Sequence, residues 1–163
     1  MTYMNAPQDQ IVPLGDGQTQ AGDFQDATRH RLRRMGARPL EFAGIELGMA
    51  MSFSPDLPYW YEINLYHTVD RSFVLAIRLF YQSESERDLV SASTYETLAE
   101  AIDALEAYDA AEDVRLTLEP TTDHLSAAEL AACAMDLRAR AKAARSHFAG
   151  LVGEFLHQMD VAA

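Results

Sequence analysis

The sequence predicts an α+β protein: a four-stranded antiparallel meander followed by a packed helix and a long C-terminal helix with heptad-like spacing. Three observations carry this. Apolar residues recur with period two between Glu41 and Thr94, then with helical period from Leu98 to Tyr108, then at alternating steps of four and three from Leu130 onward. The connections between the period-two runs are too short for crossover helices, which leaves a meander.

Residues 1–23 mix Gln, Asp, Gly, Pro and Asn without a period, so they read as a mobile tail. Together with the arginine-rich stretch that follows they form a predicted tail and arm over residues 1–35, with residues 36–163 as a single α+β domain. The spacing Phe24, Thr28, Leu32, Met35 admits one short helix inside that arm.

In the first predicted strand Ile45, Leu47, Met49, Met51 and Phe53 share one face. In the second, Tyr61, Ile63, Leu65 and His67 alternate with Trp60, Glu62, Asn64, Tyr66 and Thr68; Val69-Asp70-Arg71 reads as a tight hairpin. The third places Phe73, Leu75, Ile77, Leu79 and Tyr81 opposite Val74, Ala76, Arg78 and Phe80, so both faces are apolar apart from Arg78. Asp88 to Thr94 makes a shorter fourth strand after the polar turn Ser83–Arg87.

Ser93 and Glu96 have capping-box spacing before a helix whose stripe is Leu98, Ala101, Ile102, Leu105 and Tyr108. Val114 to Leu118 is a possible edge strand. Ser126 and Glu129 make a second capping box, with Leu125 and Leu130 placed as a hydrophobic staple. The seam of the last helix is Leu130, Ala134, Leu137, Ala141, Ala144, Phe148, Leu151 and Phe155. Unbroken, that helix is about 50 Å long against about 33 Å for a ten-residue strand, so it overhangs its sheet unless Gly150 and Gly153 break it. The doubly apolar third strand needs cover on both faces. The first helix supplies one side, and the long helix or a second subunit supplies the other; a homodimer is the expectation.

The 163 residues carry a net charge of −12, which argues against a surface built for broad nucleic-acid or anionic-membrane contact. No apolar run is long enough to span a membrane, no leader-like apolar segment occupies Met1 to Gln10, and a single cysteine excludes an internal disulfide framework; a cytoplasmic protein is expected. The charge is uneven. Residues 29–40 carry five arginines and no acid, whereas residues 84–129 carry thirteen acids against Arg87 and Arg115.

Arg29, Arg31, Arg33 and Arg34, with Trp60 and Tyr66, form a possible anion-binding set, an arginine arm beside aromatics on which bases stack. The favoured reading is that the arm docks on the acidic region of its own chain or its mate, and the aromatics on Tyr59–Tyr66 serve core or interface. Glu154 and His157 have the i, i+3 spacing of half a di-iron helix pair, but no second copy occurs, so they read as a surface pair. Glu106, Asp109, Glu112 and Asp113 lack a calcium-loop pattern and read as a solvated face. His67 reads as a core histidine, and His147 and His157 as cations near a helix end. Cys133 packs beside the seam. No catalytic residues, metal site or cofactor are expected. The sequence-level reading of function is a non-catalytic homodimeric interaction or regulatory protein, with another protein as the further candidate partner. A sheet-based single-strand nucleic-acid binder is the alternative and a small ligand-binding domain or enzyme the second.

Overall fold

Alternation of apolar and polar residues builds one antiparallel sheet whose strands lie in chain order. In the computed structural model the described residues are 12–13, 24–115 and 125–162. The strands are β1 (Val12–Pro13), β2 (Thr28–Arg34), β3 (Ala37–Met51), β4 (Tyr59–Thr68), β5 (Phe73–Tyr81) and β6 (Leu89–Tyr95), each antiparallel to the next. The sheet thus has five full strands and a two-residue strand at one edge, where four strands were expected. Two helices follow, α1 (Leu98–Ala107) and α2 (Ala127–Ala162), with a 3-10 turn at Ala110–Asp113 between them. Gly36, at φ 66°, turns β2 into β3, and Arg71, at φ 63°, closes the β4–β5 hairpin, where the Thr68 side chain accepts from Ser72 N–H.

The additional strand is the arginine stretch itself. Residues 28–34, expected as part of an arm outside the folded unit, pair with β3 from Thr28 to Arg34. Thr28, His30 and Leu32 point to one side and the exposed Arg29, Arg31 and Arg33 to the other. The short helix admitted by Phe24, Thr28, Leu32 and Met35 does not form.

Both helices pack on the same face of the sheet. Tyr61, Ile63, Leu65, Leu75, Ile77 and Leu79 meet Ala101 and Leu105 of α1 and Ala144, Phe148, Leu151 and Phe155 of α2. Burying each large apolar side chain here contributes about 1.5–3 kcal/mol. At Val74 and Ala76 the opposite face of β5 is covered by the sheet itself. The sheet curls until Met35 N–H donates to the Val90 carbonyl at 3.3 Å, and Leu32 then closes over Tyr66, Val74, Ala76 and Ala92. Strand curvature, and not only a helix or a second subunit, therefore supplies cover for the half of the doubly apolar strand at Val74 and Ala76, while Phe80 stays on the helix-free face.

β3 differs from its pattern in an instructive way. A register shift between Glu46 and Gly48 moves the strand's later residues to the other face. Ile45 and Leu47 stay toward the helices, whereas Met49 and Met51 pair with Asn64 and Glu62 on the helix-free face. Gly48 permits the close approach: a Cβ there would lie 2.8 Å from Met159 Sδ and 3.1 Å from Phe155 Cε2.

The first helix is capped by Thr97 and Glu100, not by Ser93 and Glu96, because β6 continues through Tyr95 and keeps Ser93 in the ladder. Ser126 caps α2 as expected: its hydroxyl accepts from Glu129 N–H at 3.3 Å and Glu129 Oε2 accepts from Ser126 N–H at 2.7 Å. Gly150 and Gly153 do not break α2, which runs continuously for 36 residues. The possible edge strand at Val114–Leu118 falls mostly outside the described residues, and Val114 and Arg115 are not in a strand.

Candidate functional site

The seam of α2 divides at Ala144. From there on it is core: Ala144, Phe148, Leu151 and Phe155 are buried against the sheet. Before it, Leu130 is 55% exposed, Ala134 is exposed, and Leu137 and Ala141 are half-buried. Residues 127–143, about 25 Å of helix, thus continue the four-three spacing with less burial. Met135, at 73% the most exposed large apolar residue among those described, lies on this segment, and Cys133 is a free, half-buried thiol beside it. The sequence explains how a projecting helix persists. It is rich in alanine, starts from a satisfied cap, gains an Asp136–Arg140 pair at 2.8 Å, and propagates from the packed half without a fresh nucleus. The Ser126 hydroxyl and N–H hold the Glu129 carboxyl below the usual range.

A knot of tyrosines, acids and one arginine fixes where the projection begins. Tyr61 and Tyr108 both donate to Asp113, at 2.9 Å each to Oδ2. Asp109 caps the 3-10 turn through Ala111 N–H and takes a bidentate bond from Arg145, at 2.8 and 2.6 Å. Those bonds, led by Arg145, pull the Asp109 carboxyl down to about 2. Burial pushes the Asp113 carboxyl up despite its two phenolic donors, and pushes both phenols up as well. Both phenols donate to the Asp113 carboxylate, so its oxygens are engaged inside the knot. The four acids read as a solvated face are thus divided: Asp109 and Asp113 tie the turn to α2 and β4. His147 Nε2 lies 2.8 Å from Ser52 Oγ, in mid-helix and not at its end, and desolvation lowers its pKa.

The open face of the sheet is a second, smaller surface. Trp60 stacks on Phe80 at 5.3 Å with Phe53 edge-on at 5.4 Å, beside the exposed Met49 and Met51. Glu62 and Arg78 pair at 3.5 Å. Asn64, 5% exposed, donates through Nδ2 to Glu46 Oε1 at 2.9 Å, and its Oδ1 has no partner among the described residues.

The proposed anion-binding residues are not brought together. Arg29, Arg31 and Arg33 line the outward face of β2, where Arg31 pairs with Glu41 at 3.1 Å, and Arg34 Nε donates to the Arg38 carbonyl. Tyr66 is buried on the other face against His30 and Phe42, while Trp60 stands at the far end of β4. His67 stacks on Phe73 at 4.8 Å with Phe24 alongside. Glu154 and His157 are exposed on α2, and among the described residues no group of three or more His, Cys, Asp or Glu side chains could hold a metal ion. No helix among them is long and apolar enough to cross a membrane. The Asp113 knot and the Asn64 acceptor were missed by sequence reasoning. Both join residues far apart in the chain, and no local spacing announces them. The chain matches no known family model, no curated protein and no solved structure.

Proposed function

We propose that this protein is a non-catalytic homodimeric interaction module that docks through the projecting half of α2. The observation that supports it is the divided seam: one heptad pattern continues from a buried half into a half with exposed Leu130 and Ala134 and half-buried Leu137 and Ala141, at the spacing of a helix interface. The curl of the sheet covers Val74 and Ala76 without a partner, so the reading stands on α2. Light scattering on a size-exclusion column at tens of micromolar tests it. The expected particle is twice 18.1 kDa. The double variant Leu130→Glu/Leu137→Glu should run as a monomer with unchanged circular dichroism, because neither side chain belongs to the core clusters. A monomeric wild type would end the proposal.

One observation favours a second reading, a ligand-binding module. The orphaned Asn64 Oδ1 lies near Met49, on a face that Trp60, Phe80 and Phe53 make apolar, which suits an amphipathic aromatic molecule bearing an N–H donor. Trp60 is the only tryptophan, so its emission reports directly on this face. Titration with anilinonaphthalene sulfonate should quench it in the wild type and several-fold more weakly in Asn64→Leu. Equal titrations remove the reading.

A further inference from the structure

We propose that the two copies pair with their projecting α2 segments antiparallel, which rests on the homodimer reading above. The part of the seam before Ala144 alternates large and small: Leu130 and Ala134, both exposed, then Leu137 and Ala141, both half-buried. Reversed, the same order becomes Ala, Leu, Ala, Leu, so the segment complements itself under a two-fold axis. In that register Leu130 of one copy meets Ala141 of the other, and Ala134 meets Leu137. Every layer holds one leucine and one alanine, so the helix axes keep one close separation and each leucine fills the space an alanine leaves. A parallel pair sets leucine on leucine in one layer and alanine on alanine in the next, which props the helices apart at the first and opens a gap at the second.

Charge favours the same direction. The positions flanking the seam are Ala131, Cys133, Arg138 and Arg140. Antiparallel, Arg138 flanks Ala131 of the other copy and Arg140 flanks Cys133, so no two guanidinium groups are set against each other. Parallel, Arg140 approaches Arg145, a guanidinium already engaged by Asp109. The antiparallel register also brings the start of one helix, with Leu125, alongside Arg145 to Ala149 of the other. There a groove of about 360 Å³ opens between α1 and α2 over Leu105, Tyr108, Phe148 and Val152. Four seam layers alone fall short of the roughly 800 Å² per partner of a standard interface, and this groove supplies the adjoining patch.

Pulsed dipolar electron resonance on the full chain tests the orientation, with nitroxides on Ala127→Cys or Met135→Cys, each combined with Cys133→Ser. Antiparallel, position 127 lies opposite position 144 of the other copy, so its two labels sit about 25 Å apart along the axis, and those at 135 sit nearly side by side. A long distance at 127 with a short one at 135 is the expected result. Short distances at both positions overturn the antiparallel arrangement while leaving a dimer through α2. Long distances at both place the interface elsewhere and overturn both readings, as does the absence of any intermolecular signal.

Discussion

The two halves of α2 share one spacing and differ in what they touch. After Ala144 the seam lies in the groove formed by β3, β4 and α1, and Phe155 is 0% exposed. Before Ala144, Leu130 and Ala134 are exposed and Leu137 and Ala141 half-buried, and none of the four belongs to a core cluster among the described residues. Periodicity therefore specifies which face of a helix is apolar and not what covers it. The cover is decided by where the sheet ends, and here it ends near Ser52 and the 3-10 turn, beside His147 and Arg145.

The largest effect that separates the halves comes from truncating each seam. Phe155→Ala should cost about 3–5 kcal/mol, because the ring fills space against Gly48 and the sheet that nothing else can occupy. Leu130→Ala should leave the unfolding midpoint of a dilute, monomeric sample within about 0.5 kcal/mol of wild type. Urea unfolding followed by circular dichroism measures both. Comparable losses would mean that the projecting half is packed against its own chain.

Next in size is the knot that fixes the boundary. Asp113→Ala leaves the hydroxyls of Tyr61 and Tyr108 without their acceptor and should cost about 2–3 kcal/mol, whereas Asp113→Asn keeps an acceptor oxygen and should recover part of that loss. If alanine and asparagine prove equally mild, the knot does not hold the boundary.

The legible parts of the molecule were those with local causes. β4, β5 and β6, the hairpin at Val69–Arg71 and the Ser126 cap each follow from residues within a few positions of one another. β2 was obscured because its alternation contains arginine at Arg29, Arg31 and Arg33 and buries only Leu32 fully, a consequence of curl that no single strand records. The apolar face of β3 was drawn too long because a bulge leaves no composition signal beyond Gly48. Of the α2 seam, the spacing marks the buried positions Ala144, Phe148, Leu151 and Phe155, but not where burial stops, since that depends on the length of other elements.

A smaller effect of opposite sign sharpens the comparison inside the buried half. A Cβ added at Gly153 meets nothing within 4 Å, and the residue is exposed in mid-helix. Gly153→Ala should therefore stabilise the protein by about 0.5–1 kcal/mol through helix propensity alone. A loss in the same urea assay would show that the outer face of this half is also covered, and the contrast between the halves would then concern which partner covers each.

The smallest predicted effect lies at the junction, where His147 follows Ala144. Its ring meets Ser52 Oγ and the rings of Tyr59 and Tyr61, and removal of water lowers its pKa. The folded state thus prefers the neutral imidazole. Its contribution is fully present above the ordinary histidine range and is lost as pH falls through the depressed folded value, because the unfolded chain takes up the proton first. Thermal midpoints of wild type should consequently fall more between pH 7.5 and 5.5 than those of His147→Gln, which keeps a polar side chain facing Ser52 but cannot titrate. Parallel decline in the two proteins would assign the acid sensitivity to other groups and leave the junction indifferent to pH.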